Sequence, residues 1–253
     1  MTERAQVISD GMAGVLRSLR IPREGGDPAE ACALALGVPG VAVSLLVGDG
    51  RMSELLWCFP ELSGRFEDLQ FTLGEGPGPD AVRTGVPVIE PNLGRTRSDR
   101  WPALLPSAQE LGVRGVNCFP LGAGAVRLGV LTVLCDGTVL SEQQYADATA
   151  LSAALTGVVL NGSALGGDGR DPQGGEGFTG GLHRAAVHQA TGMISVQLGV
   201  PMAQALLRLR AHAYSSGLSL GEVAADVVAR RLRFDDDGDD DMNGPHPPNA
   251  GKG

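Results

Sequence analysis

A glycine-rich segment divides this chain into two parts that must fold separately. Between positions 161 and 181 the sequence reads NGSALGGDGRDPQGGEGFTGG, which contains nine glycines and no hydrophobic period. Fixing the backbone of glycine costs more conformational entropy than fixing that of any other residue, so a packed element is not expected there. We therefore predict a flexible linker over residues 161–178, between a long N-terminal region and a short C-terminal one.

The N-terminal region alternates short apolar runs with helical patterns. Strands are predicted over 41–47, 54–59, 86–90, 115–121 and 127–135, and helices over 29–36 and 102–111. A longer helix is expected to begin at Ser141, which can form a capping-box pair with Gln144. The elements predict an α+β domain over residues 29–160, preceded by a helical or irregular segment over residues 1–28.

The C-terminal region has the pattern of three short helices. The apolar stripe predicted for the first helix is Leu182, Ala186, Ala190, Met193 and Gln197. Pro201 is expected in the first turn of the second helix and Gly217 at its left-handed C-terminal cap. Ser219 and Glu222 form a second capping-box pair at the start of the third. We assign residues 179–234 to this bundle, which is too small to bury more than a modest core.

Charge is divided unevenly along the chain. The net charge of −9 comprises −8 in residues 1–177, +4 in residues 178–234 and −5 in residues 235–253. The last segment combines six Asp with Gly and Pro and has no core-forming residues, which predicts a disordered acidic tail. Phosphate affinity comes from released counterions and needs local positive charge, so only the C-terminal bundle is suited to a polyanion.

Composition and residue placement argue against several other classes of protein. The longest apolar stretches, such as 41–47, fall short of the ~18 residues that a membrane-spanning helix requires, and the N-terminus has no secretory pattern, so a cytoplasmic protein is expected. The four cysteines form no C-x-x-C pair, so we assign no metal site. Residues 1–177 contain no histidine to serve as the base for a nucleophile, and we assign no catalytic residue and no cofactor.

The segment Gly74-Glu75-Gly76-Pro77-Gly78-Pro79 has the glycine content of a phosphate-binding loop without its spacing. It matches neither G-x-G-x-x-G nor the P-loop pattern, and its two prolines lack the backbone N–H groups that would hold an anion. We interpret it as a rigid turn between a strand and a helix.

Basic, amide and hydroxyl side chains predicted on the outside of the bundle are the candidate nucleic-acid contacts. They are Arg184, His188, Gln189 and Thr191 on the first predicted helix, Arg208, Arg210 and His212 on the second, and Arg230 and Arg231 at the end of the third. Guanidinium groups suit forked contacts to phosphates and bases. Because residues 178–234 hold only three aromatic residues, contacts to phosphates and splayed loop bases are favoured over stacking on extended single strands.

The bundle resembles the ANTAR domain, a three-helix RNA-binding output module. The resemblance is carried by His188-Gln189-Ala190-Thr191-Gly192-Met193, by Gln197-Leu198-Gly199-Val200, by Ala205-Leu206-Leu207-Arg208-Leu209-Arg210-Ala211-His212-Ala213 and by Glu222-Val223-Ala224. It implies a homodimer that binds a tandem pair of hairpins in nascent RNA and so prevents a terminator hairpin from forming. Many members of the family have lysine where this chain has Thr191, which removes one cation.

The larger region resembles a GAF domain, a sensory fold with an antiparallel sheet and flanking helices. The residues that carry the resemblance are Gly74-Glu75-Gly76-Pro77, Asp80-Ala81, Trp101-Pro102, Gly112-Val113, Cys118-Phe119-Pro120-Leu121 and Leu128-Gly129-Val130-Leu131. It implies a possible small-molecule ligand of unknown identity. The two resemblances together imply a GAF and ANTAR transcription antitermination regulator of the actinobacterial type.

Two other functions remain open at the level of the sequence. The first is a small-molecule sensor or dimerisation module that does not bind RNA. The second is a thiol enzyme on a GAF scaffold, resembling the free methionine sulfoxide reductases, in which Cys58 or Cys118 would react. A thiolate at Cys118 could be stabilised by a nearby cation such as Arg114.

Overall fold

The computed structural model of the chain describes residues 8–20, 27–47, 52–161 and 179–234. These ranges form two compact units, with the boundary between Leu182 and His183. The helices and strands within the described ranges are α1 (Asp10–Arg20), α2 (Pro28–Leu36), β1 (Gly40–Val47), β2 (Met52–Phe59), α3 (Glu61–Leu73), α4 (Pro77–Thr84), β3 (Val88–Glu90), α5 (Leu104–Glu110), β4 (Gly115–Ala123), β5 (Val126–Cys135), α6 (Glu142–Leu160), α7 (Thr179–Leu198), α8 (Met202–Ser216) and α9 (Leu220–Val228).

Three of the predicted segments extend beyond the part of the chain that the structure describes. Positions 162–178 of the predicted linker lie outside it, and so does the whole predicted acidic tail, 235–253. Positions 1–7 and 21–26 of the predicted N-terminal segment lie outside it as well.

The first unit is built on one antiparallel sheet, which confirms the predicted α+β fold class. Within the described residues the sheet has five strands in the order β2-β1-β5-β4-β3, and every neighbouring pair is antiparallel. The long hairpin β4–β5 forms its centre, with Cys118 opposite Thr132 and Phe119 opposite Leu131. All five predicted strands are present, with ends that differ from the prediction by one or two residues.

Helices cover both faces of the sheet and give the unit two apolar cores. Side chains of α1, α2 and α6 bury one face, where Met12, Cys32, Leu151 and Leu155 pack with strand residues such as Phe119. Side chains of α3, α4 and α5 bury the other face. The buried residues there include Phe66, Ala81, Trp101, Leu104 and Ala108, together with Val116, Cys118 and Val130 from the strands. A sheet buried on both faces accounts for the continuous apolar runs in β4 and β5.

Local signals at the helix ends agree with the prediction. The Ser141 hydroxyl accepts from the Gln144 backbone N–H, and the Gln144 side chain accepts from the Ser141 backbone N–H, so α6 begins with a complete capping box. The same reciprocal pair between Ser219 and Glu222 begins α9. In α8, Gly217 has the predicted left-handed conformation at φ +67°, whereas Pro201 lies at the N-cap, one position before the predicted one.

Helices α3 and α4 have no counterpart in the prediction. The buried face of α3 includes Ser63, Gly64, Glu67 and Gln70, so the helix lacks a clean apolar stripe. Helix α4 has the sequence PGPDAVRT, in which two prolines and a glycine give the composition of a turn. Both helices form because they pack on the sheet and on each other, which single-segment patterns do not reveal.

Within the Gly74–Pro79 segment, Gly74–Gly76 form a tight turn and Pro77–Pro79 begin α4, so the turn joins two helices and not a strand and a helix as predicted. Gly76 has φ +140°, and a Cβ on it would lie 2.5 Å from Oε1 of Gln70. Glu75 accepts hydrogen bonds from the backbone N–H groups of Ala103 and Leu104, at 2.8 and 2.9 Å. The segment therefore caps the start of α5 and makes room for Gln70, which gives it a structural role.

Candidate nucleic-acid interface

Helix α7 presents a different face to the core of the second unit from the one predicted. Its most buried side chains are Val187, Ala190, Thr191 and Ile194. Of the predicted stripe, Ala190 is buried, Ala186 and Met193 are half-buried, and Gln197 is exposed. The helix is therefore rotated about its axis relative to the prediction, because the branched residues Val187 and Ile194 occupy the inner face.

The rotation places Thr191 inside the unit. The residue is fully buried, and its hydroxyl donates to the Val187 carbonyl oxygen at 2.6 Å. The prediction that Thr191 lies on the exposed face with Arg184 and His188 is therefore wrong. A buried hydroxyl bonded within its own helix has no surface to offer to RNA.

The other candidates on α7 differ in their exposure. Gln189 is exposed and His188 is half-buried. Arg184 belongs to the first turns of the helix, but its side chain lies outside the part of the chain that the structure describes.

Helix α8 distributes its three candidates on two sides of its buried face, which consists of Ala205, Leu206, Leu209 and Ala213. Arg208 and His212 are one turn apart and flank it on one side, whereas Arg210 is roughly 160° around the helix from both and flanks it on the other side. All three side chains are half-buried. Burial lowers the pKa of Arg210 to about 10, so its guanidinium is still charged at neutral pH.

The segment after α9 contacts α7 and α8. The backbone N–H of Phe234 donates to Oε1 of Gln197 at 3.3 Å, and the Phe234 ring makes an edge contact with the His212 ring, with centroids 5.4 Å apart. These contacts hold the last described residues, including Arg233, against the bundle.

Three arginines lie around the end of α9, and they differ in their contacts. Arg231 forms an ion pair with Asp226, with Nη2 2.6 Å and Nε 2.9 Å from Oδ1. Arg230 and Arg233 are exposed. Arg230 has φ +59°, and no other non-glycine residue among those that the structure describes has a positive φ. This conformation strains an L-residue and is favoured by glycine.

A groove of about 530 Å³ brings some of these residues together on the outer face of α7. The lining residues that the structure describes are Gln189, Gly192, Met193, Val196, Gln197, Arg230 and Arg233. Two of the candidates, Gln189 and Arg230, therefore meet at one concave surface, whereas Arg208, Arg210, His212 and Arg231 do not line it. Arg230 and Arg233 bring positive charge to the groove, and none of these described lining residues is acidic.

Sequence reasoning missed the rest of the groove. Met193 and Gln197 were both predicted on the buried stripe of the helix, and Arg233 was not among the candidates. Val196, with 84% of its surface exposed, gave no signal because a lone apolar residue on a helix has no periodicity. The groove exists only because the segment after α9 folds back on α7, and the sequence does not specify that contact.

The first unit contains a buried polar network on the α3 side of the sheet. The carboxylate of Glu67 accepts from the Ser44 hydroxyl at 2.6 Å, the Thr132 hydroxyl at 2.7 Å and the Gln70 amide at 2.8 Å. Gln70 in turn accepts from the backbone N–H of Gly78 at 2.8 Å. The network links two strands to α3 and α4.

The cysteine thiols have environments that suppress reactivity. Burial raises the pKa of Cys118 well above its ordinary value, and the nearby Glu67 carboxylate raises it further, whereas a hydrogen bond with Thr132 lowers it. Burial also raises the pKa of Cys58 to about 11 and that of Cys32 to about 12, with Asp27 contributing to both. Because the thiolate is the nucleophile, these shifts oppose a thiol reaction at neutral pH.

The described residues contain neither a cluster of metal ligands nor a single helix that could span a membrane. Within the described residues, no group of three or more His, Cys, Asp and Glu side chains is arranged to hold a metal ion. In the same ranges no single helix is long and apolar enough to cross a membrane; Ala185–Leu198 and Met202–Ser216 meet the length and composition criteria only as a pair, which is bent by 108°.

Comparison with solved structures returns GAF domains and a reductase for the first unit. The GAF domain of an Acinetobacter phosphoenolpyruvate-protein phosphotransferase is 16% identical, with a TM-score of 0.47, over 62% of this chain and 95% of that one. The free methionine-R-sulfoxide reductase of Neisseria meningitidis is 14% identical, with a TM-score of 0.41, over 62% and 90%. The A. aeolicus nlh2 GAF domain in an inactive state is 12% identical, with a TM-score of 0.41, over 60% and 94%.

Comparison of the sequence with other proteins and with protein families gives a match in the second unit. No curated protein matches this chain. Residues 182–228, which comprise most of α7 and all of α8 and α9, match the family model of the ANTAR domain.

Proposed function

We propose that this chain is an RNA-binding transcription antitermination regulator. The ANTAR-like bundle over residues 179–234 would bind hairpin RNA, and the GAF-like unit over residues 29–160 would respond to a signal. The predicted linker over 161–178 would join them, and the segments 1–28 and 235–253 would flank them. Binding to folded RNA holds it in one structure, which prevents a competing terminator hairpin from forming.

The observation that carries this proposal is the groove on α7. Its described lining has two exposed arginines, two amide side chains and no acid. The lining residues on α7 lie within the part of the chain that matches the ANTAR domain, and Arg230 and Arg233 follow that part directly. Arginine forks and amides are the groups that contact RNA phosphates and base edges. The remaining 1–177 region has a net charge of −8 and would repel a polyanion.

The proposed contacts fall into three groups. Gln189 and Arg230 act in the groove. Arg208 and His212 act on one flank of α8, and Arg184, His188 and Arg210 supply further contacts to the backbone of the RNA. Arg231 contributes less, because Asp226 already neutralises it. Thr191 is not among the proposed contacts, since it is buried.

The signal is proposed to act on the first unit. A groove of about 710 Å³ there is lined by residues after β3, by α5, by the segment between α5 and β4 and by the turn after β5, with Arg114 and Asp136 among them. Its size falls in the range that holds small molecules, and its polar and apolar groups would suit one. The regulator is proposed to work as a homodimer in the cytoplasm, where nascent transcripts are made.

The test is binding of the full chain to a tandem-hairpin RNA, measured at several salt concentrations. We expect affinity to fall linearly with salt on logarithmic axes, and Arg208→Ala to reduce the slope by ~0.9 for the lost phosphate contact. Arg97→Ala is the matched control, because Arg97 is an exposed arginine of the first unit that pairs with Asp99. A wild-type chain that binds hairpins no better than an unstructured RNA of equal length would refute the proposal.

A dimerisation module without RNA binding is the second candidate. The outer face of α8 and the turn that follows it expose Leu207, Tyr214 and Leu218 by 65%, 87% and 46%. Leu207 and Tyr214 are seven residues apart and so lie on one face of α8, and exposed apolar residues on one face favour a protein interface. Sedimentation of the full chain with and without RNA distinguishes the two candidates: a dimer that ignores every hairpin supports this one.

A further inference from the structure

We propose that the groove on α7 is a nucleotide site that seats one unpaired base, with its phosphate held between Arg230 and Arg233. The inference rests on the proposed function and goes beyond it. It names the element of the RNA that is recognised and the surface that recognises it.

The floor of the groove is apolar and open. Val196 is 84% exposed, Met193 is half-buried beside it, and Gly192 contributes no side chain. A Cβ placed on Gly192 would meet no atom within 4 Å, so the helix surface is flat at that point and the space above it is free. A flat apolar surface of this kind fits the face of a base, whereas a sugar or a free phosphate would leave it exposed to water.

The lining of the groove includes two amide side chains. Gln189 and Gln197 both line it, and each side chain has an acceptor oxygen and a donor NH₂ group. The oxygen of Gln197 accepts from the Phe234 backbone N–H, which fixes the orientation of that amide. Amide side chains read the edges of unpaired bases through such donor and acceptor pairs.

The charge of the groove selects an anion. Arg230 and Arg233 stand on its second wall, and the described lining has no acid to offset them. A guanidinium group can bind a phosphate through its fork and can also stack on the face of a base. The volume of about 530 Å³ has room for a single nucleotide, and an unpaired nucleotide of a loop, a bulge or solution presents both its base face and its phosphate.

The backbone of Arg230 is an independent indication of function. At φ +59° a glycine would be more stable than arginine, and this position follows the end of α9, where glycine is the usual residue. Strain of this kind is typical of binding sites, where a side chain is needed in spite of its cost to stability. Arg230 supplies a cation to the groove from a position that glycine would occupy more easily.

The first test separates binding from stability with Arg230→Gly in the full chain. We expect affinity for a tandem-hairpin RNA to fall about tenfold, the loss typical of a charged contact, while the urea midpoint of the second unit rises. A structural role alone would change stability without changing affinity. Arg97→Gly is the control, since it removes an exposed arginine of the first unit and is expected to leave RNA affinity unchanged.

The second test removes the base. Abasic nucleotides are placed one at a time at each unpaired position of the two hairpin loops. We expect one position at which the abasic RNA binds the wild-type chain about tenfold more weakly. Gly192→Leu fills the groove without a clash at its Cβ. We expect this variant to bind intact RNA as weakly as the wild-type chain binds the abasic RNA, and we expect the abasic site to cause no further loss of affinity in the variant.

Each outcome of these tests decides the inference. If the wild-type chain binds hairpins but no abasic position weakens binding, the nucleotide site is refuted and the proposed function stands. The same conclusion follows if the losses of affinity caused by Gly192→Leu and by the abasic site multiply. If no hairpin binds, free AMP, GMP, CMP and UMP are titrated while the Gly192 amide is followed by NMR. A shift that Arg230→Gly abolishes then supports a site for free nucleotides, and its absence refutes the inference with the proposed function.

Discussion

Replacing Glu67 should destabilise the first unit far more than replacing any exposed carboxylate. The Glu67 side chain is 4% exposed, and its carboxylate accepts hydrogen bonds from Ser44, Gln70 and Thr132. In Glu67→Ala three buried donors lose their acceptor, and each stranded donor costs ~1–3 kcal/mol. The two hydroxyls can rotate toward other partners, so we expect a loss of about 4 kcal/mol, a large part of the ~5–15 kcal/mol that stabilises a typical domain.

Two further variants separate the charge from the hydrogen bonds. Glu67→Gln keeps one acceptor and the shape of the side chain, and the Ser44 hydroxyl can rotate to accept from the new amide. We expect it to cost about 1–2 kcal/mol, because charge-assisted hydrogen bonds become neutral ones. Glu110→Ala removes an exposed carboxylate at the end of α5 and should change stability by less than ~0.5 kcal/mol.

Urea denaturation followed by tryptophan fluorescence measures these losses. The chain has two tryptophans, Trp57 and Trp101, and both lie in the first unit, so the signal reports that unit alone. With a slope of about 2 kcal/mol per M, a loss of ~4 kcal/mol lowers the midpoint by ~2 M. A shift for Glu67→Ala no larger than that for Glu110→Ala would show that the network contributes no stability.

Three other predictions follow from buried or capping groups. Glu75→Ala should cost the first unit ~1 kcal/mol, because two N–H groups at the start of α5 lose their acceptor, and Glu75→Gln should cost less in the same urea titration. Thr191→Lys introduces a charged side chain at a fully buried position, so it should lower the thermal midpoint of the second unit, measured by circular dichroism, much more than Thr191→Val does. The pKa values of these thiols are higher in the folded protein than in the unfolded chain, so folding opposes thiolate formation. Their contribution to the free energy of unfolding is therefore fully present below the ordinary thiol pKa of ~8.5, and it is lost as the pH rises toward the pKa values of the folded protein. In native protein at pH 8, iodoacetamide should modify Cys58 slowly and Cys118 only on unfolding; rapid modification of Cys118 would contradict its burial.

The parts of the fold that the sequence predicts correctly are those with local causes. The strands of the hairpin 115–135 and the helix caps at Ser141 and Ser219 depend on residues close together in the chain. Helix α3 depends on a different kind of cause. Glu67 and Gln70 lie on its buried face because Ser44, Thr132 and Gly78 supply their hydrogen-bond partners from elsewhere in the fold. A polar residue that is buried through distant partners has the same appearance in a sequence as one that faces water.

The candidate site depends on one feature that periodicity leaves undecided, the rotation of α7. Small and apolar residues surround much of this helix, so two adjacent stripes fit a spacing of three to four residues. The structure buries the stripe with Val187 and Ile194, which also turns Thr191 inward. The same rotation brings Met193 and Val196 to the outer face, where Arg230 and Arg233 meet them. The burial of Thr191 and the groove therefore have one physical cause, and a lysine at that position could not supply the cation that the two arginines provide.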